Sequence, residues 1–112
     1  MSTHGVAAPA GIEADFCFIN TGDSMINARI FDGDIVYIHQ QSTAQDGDII
    51  IFRYHGEVRI GIFSSGSDFI SFTPANPQYK TLIFNTEEMP QVEIIGKAVA
   101  FLGTIQNRRN PG

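Results

Sequence analysis

The sequence predicts a mostly β domain with a single short helical turn. Eleven glycines punctuate runs rich in β-branched and aromatic residues, the pattern of strands separated by turns. Asp-Gly pairs stand just ahead of two of these runs, at 32–33 and 46–47. The run Ile49, Ile50, Ile51, Phe52 is apolar at every position. A strand of that kind is covered on both faces, as in a folded-over sheet or small barrel.

The elements follow in order. "ADFCFIN" (14–20) reads as the first strand, after a tail at 1–13. "DSMINARI" (23–30) is the one stretch suited to a helical turn, with Asp23 or Ser24 as its N-cap. "DIVYIHQ" (34–40) follows Asp32-Gly33. "GDIIIFRYH" (47–55) and "GEVRIGIF" (56–63) meet at His55-Gly56 and read as a hairpin. "DFISFTP" (68–74) and "TLIF" (81–84) are two further strands, and "TPANPQY" between them is a rigid turn leading to Tyr79. "QVEIIGKAVAFLG" (91–103) is a long last strand in which Gly96 permits a bulge. Residues 104–112 form a tail, so one domain spans 14–103.

Composition excludes several functions. At 112 residues and 43% hydrophobic content, the chain suits one domain with a real core. One cysteine, Cys17, allows neither an internal disulfide nor a cysteine-based zinc site, and reads as a packed small hydrophobe. No metal or other cofactor is expected. No run reaches the roughly 18 apolar residues of a membrane span. The start "MSTHGVAAPAG" lacks the features of a signal peptide, so a cytoplasmic protein is expected. Net charge is −5, and the seven Lys and Arg are scattered. DNA binding draws on a basic patch, so any contact with DNA would fall to a separate domain.

Ser24 is the residue to weigh for chemistry. Amide groups at the start of a helical turn can hold an oxyanion. A serine there also serves as a plain cap, and composition alone favours the cap. A nucleophilic serine needs a base. His4 lies in the tail, His39 ends a strand and His55 sits in a hairpin turn. None has a spacing that suggests a triad or a metal site.

"GDSMINARIFDGDIVYI", followed in order by "DGDIIIF", "GEVRIGIF", "PANPQY" and "VEIIGKAVAF", resembles the C-terminal domain of LexA-type self-cleaving repressors, the family that includes lambda CI-like phage repressors and UmuD. The resemblance runs from about Ala14 to Phe101. It implies a mostly β domain that forms homodimers and uses a Ser-Lys dyad to cut its own chain, usually at an upstream Ala-Gly bond. It implies stimulation by the RecA filament in the SOS response, and DNA contact through a separate helix-turn-helix. By that resemblance Ser24 matches the nucleophile. The family lysine stands four residues beyond a glutamate on the strand after the hairpin. Counted from Glu57, that position is Gly61, 37 residues after Ser24. Gly61 cannot accept a proton, and a gap is expected where the lysine would stand.

Arg59 shares that strand face but keeps its proton in proteins. Lys97 is expected in a surface or pairing role, and Lys80 is a weaker candidate. Ala10-Gly11 is the bond type the family cuts, but it lies only 13 residues before Ser24, in the approach to the first strand. The resemblance thus points to a C-terminal dimerisation and regulatory domain of a repressor with a defective dyad. Two alternatives stay open: an active self-cleaving peptidase that uses a different lysine, and a UmuD-like accessory factor.

Overall fold

A computed structural model describes residues 11–85, 87 and 91–103. Seven strands are present among them: β1 (Phe16–Ile19), β2 (Ile35–Gln40), β3 (Ile49–Tyr54), β4 (Glu57–Ser65), β5 (Phe69–Thr73), β6 (Leu82–Asn85) and β7 (Val92–Leu102). They form one antiparallel sheet in the order β1-β2-β7-β3-β4-β5-β6. Ile26–Ala28 is a single 3₁₀ turn. The tails at 1–10 and 104–112, with His4, Ala10, Arg108 and Arg109, lie outside the described residues.

The sheet folds over on itself. In a flat sheet β2 and β5 would stand four strand spacings apart, about 19 Å. Yet the loop after β1 and the loop after β5 are hydrogen-bonded, Asn27 N donating to the Ala75 carbonyl at 2.8 Å. Bulges supply part of the bend. Ile51 pairs with Gly96 and Phe52 with Ile94, so Ile95 is an extra residue in β7. Val99 is a second, between the partners of Tyr37 and Ile38. Such insertions kink a strand and increase its twist. Gly96 sits at the first bulge, where a Cβ would come within 2.5 Å of Ile38 Cγ2 and 2.6 Å of the His39 carbonyl.

The all-apolar run in β3 serves two cores, as its pattern predicts. Ile50 and Phe52 join Phe63, Phe72, Phe84 and Val92 on one face. Ile51 joins Met25, Ile30, Val36 and Ile38 on the other. The hairpin turns at His55 and Gly56, with φ of 52° and 78°. Both central residues are left-handed, the type I′ geometry whose twist matches that of the flanking strands.

Cys17 departs from expectation, because it is exposed. β1 is an edge strand whose alternation sends Phe16 and Phe18 towards the inner cluster. Cys17 and Ile19 therefore face outwards, where no further strand among the described residues covers them.

Candidate functional site

The loop from 20 to 34 is shaped by its own polar residues. Asn20 N donates to the Asp34 carbonyl at 2.9 Å, and Gly33 N to the Asn20 carbonyl at 2.7 Å. The Asp-Gly-Asp turn is structural. Asp32 Oδ1 accepts from Gly22 N at 2.7 Å, Asp34 Oδ2 accepts from Phe31 N at 2.8 Å, and Gly33 takes φ of 87° between them. Met25 and Ile30 are buried at 0% and 1% exposure and anchor the loop in the inner core.

Ser24 stands between this anchor and solvent, half-buried. Its hydroxyl has no hydrogen-bond partner among the described residues, and the Ser24 and Met25 amides donate to none of them. The predicted side-chain cap is absent. Met25 holds the capping position without a side-chain bond, and Ile26 N donates to the Asp23 backbone carbonyl at 3.3 Å. The Asp23 carboxylate is engaged elsewhere, accepting a hydrogen bond from Tyr79.

That bond belongs to a clasp which sequence reasoning missed. In "PANPQY", Asn76 Oδ1 accepts from Gln78 N at 3.0 Å and the Asn76 carbonyl accepts from Tyr79 N at 3.1 Å, giving the rigid turn expected. The other half of the same side chain reaches across the fold, where Asn76 Nδ2 donates to the Asp23 carbonyl at 2.9 Å. Asn76 is buried. An asparagine between two prolines is the available signal, but nothing in the sequence names its partner.

The hydrogen bond to Asp23 raises the Tyr79 pKa above its ordinary 10.0, with the carboxylate charge and slight desolvation adding to it. The neutral phenol donates the bond, so the contact is intact below the ordinary value and is lost as pH rises through the raised one. Spectrophotometric titration should therefore show Tyr79 ionising at higher pH than in an Asp23→Asn variant. Equal midpoints would show that the contact does not hold in solution.

Between Ser24, β4 and the clasp lies a cleft of about 420 Å³. Asn20, Asp23, Ser24, Arg59, Tyr79 and Lys80 are among its polar lining, and Phe18, Phe52, Phe72 and Leu82 give much of the rest. Gly61 is buried in β4, beside the lining residues Arg59 and Ile60. Neighbours stand close to this position. A Cβ on Gly61 would meet Phe72 Cβ at 3.3 Å and Phe52 Cε1 at 3.6 Å. The two phenylalanines come from the strands on either side of β4, and their rings stack 3.9 Å apart at 18°. Glycine in mid-strand commonly marks such a close approach.

The remaining candidates are dispersed. Arg59 pairs with Glu57 at 2.8 Å, and its guanidinium lies 5.6 Å from the centre of the Tyr54 ring. Lys97 is 3.4 Å from Asp48 and lines no part of the cleft. Lys80 lines it but is exposed. His39 hydrogen-bonds with Gln41 at 2.9 Å, and the His55 ring lies 4.1 Å from that of Tyr54; neither reaches the cleft. Gly11, the described half of Ala10-Gly11, is exposed. No group of three His, Cys, Asp or Glu suited to a metal occurs among the described residues, and none of their helices is long and apolar enough to cross a membrane.

Comparison with known proteins agrees with the fold. The chain is 38% identical over 78 residues to the LexA repressor of Thermotoga petrophila, covering 70% of this chain and 38% of that protein. It is 36% identical over 85 residues to the LexA repressor of Geobacter metallireducens, covering 76% and 42%. For the LexA repressor of Moorella thermoacetica the figures are 38% over 90 residues, 80% and 42%. The chain spans about two fifths of the length of these relatives. Residues 7–99 match the family described as Peptidase S24-like, and the chain belongs to that family.

Proposed function

We propose that the chain is the C-terminal dimerising and regulatory domain of a LexA-type transcriptional repressor whose Ser-Lys dyad is incomplete. Ser24 holds the nucleophile's place, and Gly61 stands where the lysine would be. The observation that carries this reading is the Phe52–Phe72 stack at 3.9 Å across Gly61. Aromatic residues packed against that position support a site without a base. The other basic side chains support it too, since Lys97 and the two described histidines lie outside the cleft, and Arg59 keeps its proton. The direct test is a mass spectrum of the chain after alkaline incubation. The intact mass is expected, and Ser24-dependent fragments would overturn the reading.

Self-association is supported by the outer face of the β1 edge. Ile19 pairs with Ile35, and Ile35 with Leu102, so these three side chains run side by side across β1, β2 and β7. Ile19 is 53% exposed and Leu102 50%. Analytical ultracentrifugation should give a dimer at micromolar concentration. Ile19→Glu with Leu102→Glu should shift it to monomer by placing like charges against each other in the pair. A monomeric parent chain would remove dimerisation from the proposal. The same chain should show no salt-sensitive binding to duplex DNA, since its net charge is −5 and its seven Lys and Arg are scattered along the sequence.

A further inference from the structure

β1 is an edge strand, and no strand among the described residues lies beyond it. What its open side presents follows from the ladder on its other side. β1 pairs with β2 from Phe16↔Ile38 to Ile19↔Ile35. One step further, Asn20 N donates to the Asp34 carbonyl at 2.9 Å. Opposed residues in an antiparallel ladder alternate between hydrogen-bonded and non-hydrogen-bonded pairs. Asn20, Phe18 and Phe16 therefore turn their N–H and C=O groups towards β2, while Cys17 and Ile19 turn theirs towards the open side. These four backbone groups form a template for one more strand. Exposed edges are often guarded by lysine or proline, and "FCFI" has neither. Cys17 is exposed and Ile19 is 53% exposed, so nothing described covers this side.

We propose that two copies of this chain join along this edge, β1 pairing antiparallel with β1 across a two-fold axis at Phe18. The proposal rests on the dimer reading above and gives it a strand and a register. A two-fold interface must be self-complementary, so Cys17 and Ile19 of one copy have to face Cys17 and Ile19 of the other. With Phe18 on the axis, Cys17 of each copy faces Ile19 of its mate, and all four free groups on each side are bonded. An axis at Cys17 or at Ile19 sets the other of the two opposite a residue outside the strand. The Phe18 side chains, half-buried against the inner cluster, then meet at the axis as a cross-strand aromatic pair. The outer apolar row is continued as well. Leu102, Ile35 and Ile19 of one copy run on into Cys17, Tyr37 and Ala100 of the other.

The test is a crosslink across the axis. Cα atoms of a hydrogen-bonded antiparallel pair stand about 5.5 Å apart, within disulfide reach. The two Cys17 residues are offset by two positions along the strands and lie about 8 Å apart, which is too far. The parent chain is mixed with Cys17→Ser/Ile19→Cys, each holding a single cysteine, and oxidised with copper phenanthroline. A covalent dimer is expected from the mixture and from neither chain alone. Hydrogen exchange on the parent chain is the second measurement. The Cys17 and Ile19 amides should exchange at least about tenfold more slowly where the chain sediments as a dimer than after dilution to monomer. The Phe18 amide, bonded to β2, is the control. A crosslink in the parent chain alone overturns the register. A sedimenting dimer with no crosslink in the mixture overturns this edge and leaves the dimer reading standing, whereas a monomer at every concentration ends both. Protection of the two amides that persists in the monomer also overturns the proposal, since the edge is then covered from within the same chain.

Discussion

Gly61→Lys combined with Phe52→Leu should gain Ser24-dependent cleavage of a supplied Ala-Gly peptide, where the parent chain and Gly61→Lys alone show little. A serine hydroxyl becomes a useful nucleophile only when a base takes its proton. A lysine does so once burial lowers its pKa. Assistance of this kind is typically worth about 10²- to 10⁴-fold in rate. Gly61 is buried, so the environment suits a lysine tuned in this way. The obstacle is room. The new Cβ would crowd Phe72 Cβ at 3.3 Å and touch the Phe52 ring at an ordinary 3.6 Å. Trimming Phe52 makes room beyond the Cβ for the rest of the lysine and leaves Phe72 in its core. The gained activity should vanish on adding Ser24→Ala. If the parent chain already cuts the peptide in a Ser24-dependent way, the base lies elsewhere, and Lys80 becomes the first residue to replace.

Phe72→Ala should come close to unfolding the domain. Phe72 is 1% exposed. Its ring stacks on Phe52 at 3.9 Å and meets Phe63 and Phe84 edge-on, at 5.7 and 6.3 Å between ring centres. Truncating a buried phenylalanine costs about 3–5 kcal/mol. Total domain stability is only about 5–15 kcal/mol. Urea denaturation should show the midpoint falling by a large fraction. Ile83→Ala is the control, since Ile83 is 64% exposed on an edge strand and should shift stability by no more than about 0.5 kcal/mol. Similar losses from both would mean that the aromatic cluster is not the core.

Period and punctuation made most of the fold legible. The four apolar residues of 49–52 predict a strand between two cores, and Ile50 and Ile51 go to opposite ones. His55-Gly56 predicts the hairpin, because a two-residue turn of that hand needs left-handed backbone at both positions. Cys17 was misjudged because alternation along 16–19 fixes which residues share a face, while only the strand order makes β1 an edge. The site was partly legible. Ser24 stands out by its motif, and Gly61 by its spacing from Glu57. The ring stack over Gly61 could not be read, because Phe52 and Phe72 lie 20 residues apart on strands that are not neighbours. The buried Asn20 Oδ1, which accepts no hydrogen bond from any described residue, was also hidden, since an unmet hydrogen bond depends on every surrounding partner.

The clasp over the Ser24 loop sets an order of events during folding. Asn76 reaches Asp23 over 53 positions of chain, and Tyr79 reaches it over 56. Contacts so distant in sequence form only after the intervening chain has been organised, and topologies rich in them fold slowly. A chain emerging from the ribosome would carry the Ser24 turn long before the residues that pin it. The hairpin of β3 and β4, closed by a two-residue turn, can form early. The cleft comes into being only when the sheet has curled far enough for the loop after β5 to meet the loop after β1. Its birth thus coincides with completion of the domain, and a nascent or truncated chain ending before residue 76 would have no cleft at all.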